Sequence, residues 1–291
     1  SARWTAIIAI TTILSWGLHS RRYVFSGGTL KLFYLFMCWV TLTTIFAEFP
    51  DVASSAYVQT LKTFLMVMLM VCLLDTTEKL DIVLWIVLIS VGFHTVKGGL
   101  ITIGTGGSGN LTSDAIMFKE TNEFARGGIL IFPLMLYAAM QADLRYTRWI
   151  MFLCAILTAF AILGTQSRGG AVAFAASLCY YFKLSNKKKS ILMAVFLMAV
   201  PVTFFMSSER YQAWQARMGT IENIETDDSF QGRTFAWRWA VEKYGDSLIG
   251  GGFGAFRGAI VPKTGGWRDA HSIYFELIGE HGIIGLVIYL G

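Results

Sequence analysis

Long apolar blocks constrain the fold of this chain more than any other feature of its sequence. Hydrophobic residues make up 55% of the chain and charged residues only 15%, whereas a soluble domain is roughly 25% charged. The blocks run for about 15 to 24 residues, near the ~20 that a helix needs to cross a bilayer, and none alternates as a membrane β-barrel requires. We therefore predict an all-α polytopic membrane protein, because helices satisfy their own backbone hydrogen bonds in lipid.

Nine of these blocks are predicted membrane spans, and the loops between them differ in charge. The spans cover residues 4–18, 30–46, 56–74, 80–103, 124–141, 149–164, 169–184, 190–206 and 271–291. Basic residues are concentrated in the loops 19–31, 142–148 and 183–189, which share one side with 75–81 if every span crosses once. The positive-inside rule makes this side cytoplasmic. The long polar loop, residues 207–270, then lies on the opposite side.

The polar loop is predicted to be a folded cap rather than a tether. It contains a run with helical character, Arg233–Tyr244, and then the glycine-rich turn Gly250–Gly254. We divide the chain into a transmembrane bundle of eight spans (1–206), the cap (207–270) and a final span (271–291). The chain begins without Met and ends inside an apolar run, so we expect a fragment that lacks helices at one or both ends.

The sequence contains no pattern that predicts a metal, nucleotide or nucleic-acid site. The four cysteines all lie in apolar blocks, and no Cys/His spacing of the zinc type occurs. Gly104–Gly109 matches GxGxxG, but it follows a predicted span rather than a strand, so we interpret it as an inter-helix loop. Much of the net charge of +5 lies in short loops, where it orients the protein in the membrane.

The short connection GTQSRGG, residues 164–170, is predicted to place Arg168 where the membrane meets water, on the side opposite the basic loops. An interfacial Arg can simply extend its charged head into water. The same residue also suits an anion site, because a guanidinium grips two phosphate oxygens at once, and Ser167, Gly169 and Gly170 let the backbone approach a phosphate. Both interpretations stay open on the sequence alone.

Two further candidate residues lie in the polar loop and at its end. Arg233 opens the helical run, where a helix N-terminus favours anions. The Trp and Tyr rings that follow, Trp237 and Trp239 among them, could pack on sugars or dock the helix. His271 begins the last span, where a neutral imidazole could take a proton. His281 lies ten residues further on, about 15 Å along a helix, so the two histidines cannot share a metal.

Two arginines and one histidine on the outer face, without an acidic cluster, favour transfer from a lipid-linked phosphate or pyrophosphate. Arg168 and Arg233 would stabilise the departing diphosphate. His271 would deprotonate the incoming hydroxyl.

The motif around His271 resembles that of a known family. His271-Ser272, nine residues and then Gly282-x-x-Gly285 look like the signature of the O-antigen ligase and polymerase superfamily (the WaaL/Wzy type). SRG at Arg168 and GR at Arg233 occur in the order that this family would have. VKGGL (Val96–Leu100) and HSIYFELIGEHG look like a subgroup described as exosortase-associated O-glycosylation ligases.

This resemblance implies a GT-C-like helical bundle of about twelve spans with a periplasmic cap, in the inner membrane of a Gram-negative bacterium. It implies an inverting transfer of a glycan from undecaprenyl pyrophosphate to a lipid A-core sugar, without metal or nucleotide. Carried over to this chain, Arg168 and Arg233 would hold the pyrophosphate, and His271 would be the base.

The sequence leaves several alternatives open. The acceptor could instead be the growing glycan, as in a polymerase, or a Ser or Thr of a protein. A transporter of lipid-linked glycan would need broken helices and polar groups near mid-bilayer, and only Lys97 with Gly98-Gly99 and Arg126 with Gly127-Gly128 hint at this. A non-enzymatic scaffold for surface-polysaccharide machinery is the third possibility.

Overall fold

The computed structural model describes residues 7, 10–15, 17, 27–105, 111, 118, 120–184, 228–264 and 270–291, with the side chains of all but 228–230 and 260–264. No strand occurs among them. The helices are α1 (Gly28–Ile45), α2 (Pro50–Leu73), α3 (Thr77–Gly104), α4 (Thr121–Gln141), α5 (Arg145–Gly164), α6 (Arg168–Leu184), α7 (Asp228–Tyr244), α8 (Ala255–Thr264) and α9 (Ile273–Leu290).

Six of these helices, α1 to α5 and α9, are long and apolar enough to cross a membrane. Large apolar side chains such as Ile89, Phe93 and Leu130 are exposed on them, as expected of faces that lipid covers. The predicted all-α polytopic membrane protein is thereby confirmed. α6 coincides with a predicted span but has only 17 residues.

Several sequence predictions fall wholly or partly outside the described residues. Of the predicted span 4–18, residues 7, 10–15 and 17 are described and helical. The span 190–206 lies outside the described residues, as do most of the basic loops 19–31 and 183–189 and of the GxGxxG segment.

The described helices belong to two compact units, of which the first is assembled from two separate stretches of the chain. Unit 1 combines residues 1–77 with 222–291, and unit 2 consists of residues 78–221. The division into 1–206, 207–270 and 271–291 rests on predicted membrane topology instead, and it stays a prediction.

Unit 2 is held together by close packing of α3, α4 and α5. Small residues allow this approach: a Cβ added to Gly99 would overlap the carbonyl of Leu157, and one added to Gly128 would lie against Ile162. Thr95 and Thr158 share a buried hydrogen bond of 2.9 Å between the two helices that carry them. Phe132 and Phe174 add an edge-to-face contact with α6.

The glycine pairs that hinted at broken helices have this packing role. α3 continues through Gly98-Gly99, and α4 continues through Gly127-Gly128. Lys97 and Arg126 beside them are exposed on the helix surface. In these intact helices the glycines let a neighbouring element approach closely.

In unit 1 the last helix, α9, packs against α1 and against α7 of the polar loop. A small core joins α7 to the segments packed against it, and its buried residues are Ala236, Ala240, Phe256 and Ala270. α8 contacts both α2 and α9. The predicted helical run Arg233–Tyr244 therefore lies inside a folded element, α7, which begins five residues earlier at Asp228.

Candidate active site

His271 lies in unit 1, immediately before α9, in an unusual backbone conformation. Its φ of 47° is in the left-handed region, which costs a non-glycine residue about 1–3 kcal/mol. The flanking residues fix this conformation: Ala270 is fully buried, and the Ser272 carbonyl accepts the N–H of Glu276 (3.0 Å) in the first turn of α9. The His271 side chain remains exposed, so its imidazole is accessible at the start of the helix.

Arg233 is connected to the His271 segment through Trp237. Arg233 and Trp237 are one turn apart on α7 and share a face. Trp237 Nε1 donates to the carbonyl of Ala270 (2.7 Å), the residue before His271, and its ring stacks on Phe275 of α9 at 5.0 Å and 12°. Trp237 thus docks the cap helix rather than offering a free sugar platform, and unit 1 brings the helix of Arg233 to His271.

The guanidinium of Arg233 contains a buried donor without an acceptor among the described residues. Its Nε is shielded from solvent and makes no hydrogen bond. Leaving a buried donor unpaired is unfavourable, so such a group in a folded protein calls for an explanation. An anionic ligand supplies one, because a phosphate oxygen is the acceptor that a guanidinium binds best.

The first glycine of the His271 motif, Gly282, creates a break in α9. Gly282 has a φ of 69° and leaves the helical conformation. The freed carbonyls of Gly279 and Glu280 accept the N–H groups of Gly251 (2.9 Å) and Gly252 (2.8 Å) from the glycine-rich turn. The break at Gly282 therefore lets the turn Gly250–Gly254 form hydrogen bonds directly to the backbone of the last helix.

Buried polar side chains surround this break. The carboxylate of Glu280, 7% exposed, accepts the N–H of Gly254 (2.7 Å). His281, 3% exposed, places Nδ1 2.7 Å from Thr43 Oγ1, and its carbonyl accepts Trp39 Nε1 (2.8 Å). His281 is thus a packing residue that joins α9 to α1. Among the described side chains, no group of three or more His, Cys, Asp or Glu is placed to hold a metal ion.

An ion pair outside the spans fixes the far end of α7. Lys243 Nζ lies 2.6 Å from Glu48 Oε2 in the α1–α2 connection. Burial raises the pKa of Glu48, but the hydrogen bond and charge of Lys243 outweigh it, so this pKa lies below its ordinary 4.5. Burial likewise lowers the pKa of Lys243, yet its partners raise it above 10.5. Both groups are therefore charged at neutral pH.

Arg168 lies in unit 2, as the first residue of α6. Ser167 caps this helix: its Oγ accepts the N–H of Gly170 (3.0 Å) and donates to Asn122 Oδ1 of α4 (2.6 Å). Gly170 has no room for a Cβ, which would crowd Ala125. The turn that presents Arg168 is thus defined by its own hydrogen bonds. That Arg168 serves the same ligand as Arg233 and His271 stays a prediction from the sequence.

Sequence reasoning missed two features of these segments. Gln166 has a left-handed φ of 55° and a buried, unpaired amide nitrogen, yet no residue pattern marks it. The break at Gly282 lies inside a stretch that is apolar enough overall to read as one continuous span, so mean hydropathy does not reveal it. The GxxG motif itself was the only available signal for the break.

Comparison with protein families matches two separate stretches of the chain. Residues 152–290 match a family described as O-Antigen ligase, and residues 2–143 match a family of unknown function (DUF5935). The first stretch contains Arg168, Arg233 and His271. Comparison with curated proteins and with solved structures gave no match. The exosortase-associated subgroup stays a prediction. The match over residues 152–290, just under half of the chain, supports the O-antigen ligase and polymerase superfamily.

Proposed function

We propose that this protein is a glycosyltransferase of the O-antigen ligase type that transfers a glycan from undecaprenyl pyrophosphate to a lipid A-core sugar. The family match supports ligase- or polymerase-type activity in general. The single observation that carries the proposal is the bond from Trp237 to the Ala270 carbonyl. It fastens a helix with an unpaired cationic donor, on Arg233, to the backbone of the exposed His271.

The proposed reaction is a single displacement at the anomeric carbon. The acceptor hydroxyl attacks from the face opposite the diphosphate, and its oxygen bonds to carbon as the bond from carbon to the diphosphate oxygen breaks. The bonding electrons leave with the diphosphate, so the configuration inverts. His271 takes the hydroxyl proton. Arg233 stabilises the charge that grows on the diphosphate, with Arg168 in the same role as the resemblance implies.

The orientation in the membrane belongs to this proposal as well. The positive-inside rule leaves the polar loop on the periplasmic face of the bacterial inner membrane. A GT-C-like bundle follows from the same resemblance. Neither a metal nor a nucleotide enters the proposed reaction, because the resemblance implies neither and the donor already carries its activated leaving group.

Proteoliposomes with purified lipid-linked glycan test the reaction and its acceptor. Lipid A-core, a second donor molecule and a Ser/Thr peptide are offered in turn, which separates a ligase from a polymerase and a protein glycosyltransferase. We expect a product with lipid A-core that is lost in His271→Ala. The matched control is His94→Ala, because His94 is a half-buried histidine of α3 in unit 2.

Three results would overturn the proposal. Full transfer by His271→Ala would remove the assigned base. Movement of labelled lipid-linked glycan across the bilayer that depends on Lys97, with no glycosidic product, would indicate a transporter instead. If substitutions at Arg168, Arg233 and His271 had no effect in cells, a non-enzymatic scaffold would be favoured instead.

A further inference from the structure

Gln166, in the turn between α5 and α6, combines two unfavourable features. Its φ of 55° lies in the left-handed region, which side chains other than glycine rarely adopt. Its Nε2 is buried and finds no acceptor among the described residues. Strain and an unpaired buried donor at one residue persist only where the surrounding structure imposes them, and such sites cluster where ligands bind.

The neighbouring hydroxyl groups of the turn are already engaged. Thr165 Oγ1 donates to the carbonyl of Ile162 (2.6 Å), and Ser167 Oγ donates to Asn122 Oδ1 (2.6 Å). These bonds hold the backbone on both sides of Gln166. The amide nitrogen is therefore a donor in a defined turn that supplies no acceptor for it.

We propose that Gln166 is a further donor-binding residue, and that its Nε2 donates a hydrogen bond to an oxygen of the lipid-linked diphosphate. This inference rests on the proposed function. The guanidinium of Arg168 stands two residues away in the chain and favours an anionic oxygen over a water molecule as the acceptor. A neutral amide adds a directional bond without a further buried charge, which positions the diphosphate rather than only attracting it.

The turn conformation permits a substitution that removes the side chain alone. Glycine adopts a positive φ without strain, so Gln166→Gly keeps the turn and deletes the amide. Gln166→Glu keeps the size and adds a negative charge. Gln141→Ala is the matched control, because Gln141 is an exposed glutamine of α4 in the same unit. Thermal unfolding in nanodiscs checks that each variant is folded.

The test measures binding of undecaprenyl pyrophosphate and of inorganic pyrophosphate to the protein in nanodiscs. For the lipid we expect Gln166→Gly to bind on the order of ten- to a hundredfold more weakly, at unchanged or higher thermal stability. Gln166→Glu should bind more weakly still, and Gln141→Ala should match the original protein. Because no transfer is required, these results stand even if the protein forms no glycosidic product.

Four outcomes would overturn the inference. Equal lipid binding by Gln166→Gly would show that the residue is structural only. Undiminished binding by Gln166→Glu would mean that a donor group, not an anionic oxygen, meets this side chain. If binding of inorganic pyrophosphate depended on Gln166 while binding of the lipid did not, the lipid-linked diphosphate would not be the ligand. The same would follow if the original protein bound no undecaprenyl pyrophosphate.

Discussion

The two segments that carry the candidate residues are built in different ways. The His271 segment of unit 1 depends on contacts between residues far apart in the chain: Trp237 with Ala270, Gly252 with Glu280, and Trp39 with His281. The Arg168 turn of unit 2 is held mostly by bonds over two to four residues, such as Ser167 with Gly170. The proposed general base is therefore positioned by tertiary assembly, whereas the turn that carries Arg168 is defined locally.

The same contrast appears in the use of glycine. Gly282 is required by its backbone conformation and by a close approach to Leu248, whereas Gly169, next to Arg168, has nothing within 4 Å of an added Cβ. Each unit also draws on both matched stretches of the chain, since 2–143 and 152–290 are each divided between them. Neither matched stretch forms a compact unit by itself.

The largest expected effect is the difference in stability between alanine substitutions at these two glycines. Gly282→Ala should destabilise the protein by about 3 kcal/mol or more, because its Cβ would overlap the Leu248 backbone at an unfavourable φ. Gly169→Ala should be neutral, or stabilise by up to about 1 kcal/mol, since alanine has a higher helix propensity than glycine. Thermal unfolding in detergent micelles measures both. Equal stability of the two variants would contradict the contrast between the segments.

The next effect concerns the tie between the cap helix and His271. Trp237→Phe keeps a ring against Phe275 but loses the hydrogen bond to Ala270, which should cost about 1 kcal/mol of stability. Transfer should fall further than stability implies, up to about a hundredfold, because small displacements of reacting groups slow a reaction strongly. Trp239→Phe, which alters a ring packed on Phe256 instead, is the control. Unchanged kcat in Trp237→Phe would show that this bond does not position the site.

A smaller effect is expected from the local cap of α6. Ser167→Ala removes the group that caps Gly170 and bonds to Asn122, and should cost about 1 kcal/mol. Thr63→Ala provides the comparison, because the Thr63 hydroxyl donates only within its own helix, to the Gln59 carbonyl, and is exposed in mid-helix. Unfolding temperatures decide the matter, and a larger loss for Thr63→Ala would contradict the assigned capping role.

The smallest effect belongs to the Glu48–Lys243 pair. Because the pKa of Glu48 is lowered on folding, its contribution is present above about pH 4.5 and is lost as pH falls through the folded value. Lys243 has a raised pKa, so its contribution is lost only above about pH 10.5. Both groups are about 40% exposed, which limits the pair to less than about 1 kcal/mol, reduced further by salt. Glu48→Gln should flatten the unfolding temperature between pH 3 and 6, and an unchanged profile would contradict this.

Much of the fold follows from the sequence because apolar length is a direct physical requirement of spanning a bilayer. That requirement predicted most of the ends of α1 to α5 and α9 to within a few residues. It did not locate the six additional residues at the start of α2, where Pro50 begins the helix at a position that tolerates proline. Polar and small residues at a helix start carry little hydropathy signal.

The candidate site divides in the same manner. His271, Arg168 and Arg233 were predicted because each residue type has a chemical role at a predictable boundary. The role of Trp237, the docking of the Gly250–Gly254 turn and the conformation of Gln166 depend on partners elsewhere or on backbone angles. Such features leave no periodic pattern in a single sequence.

The central claim is that Arg233 binds the donor while His271 takes the acceptor proton, and steady-state kinetics of transfer in proteoliposomes test it most directly. Arg233→Ala should mainly raise KM for the donor, by about ten- to a hundredfold for a charge-assisted bond. His271→Gln should mainly lower kcat, by about a hundred- to ten-thousandfold. Arg238→Ala, an exposed arginine of the same helix, should match the original protein. Full kcat in His271→Gln, or an Arg233→Ala variant that equals Arg238→Ala, would contradict the account.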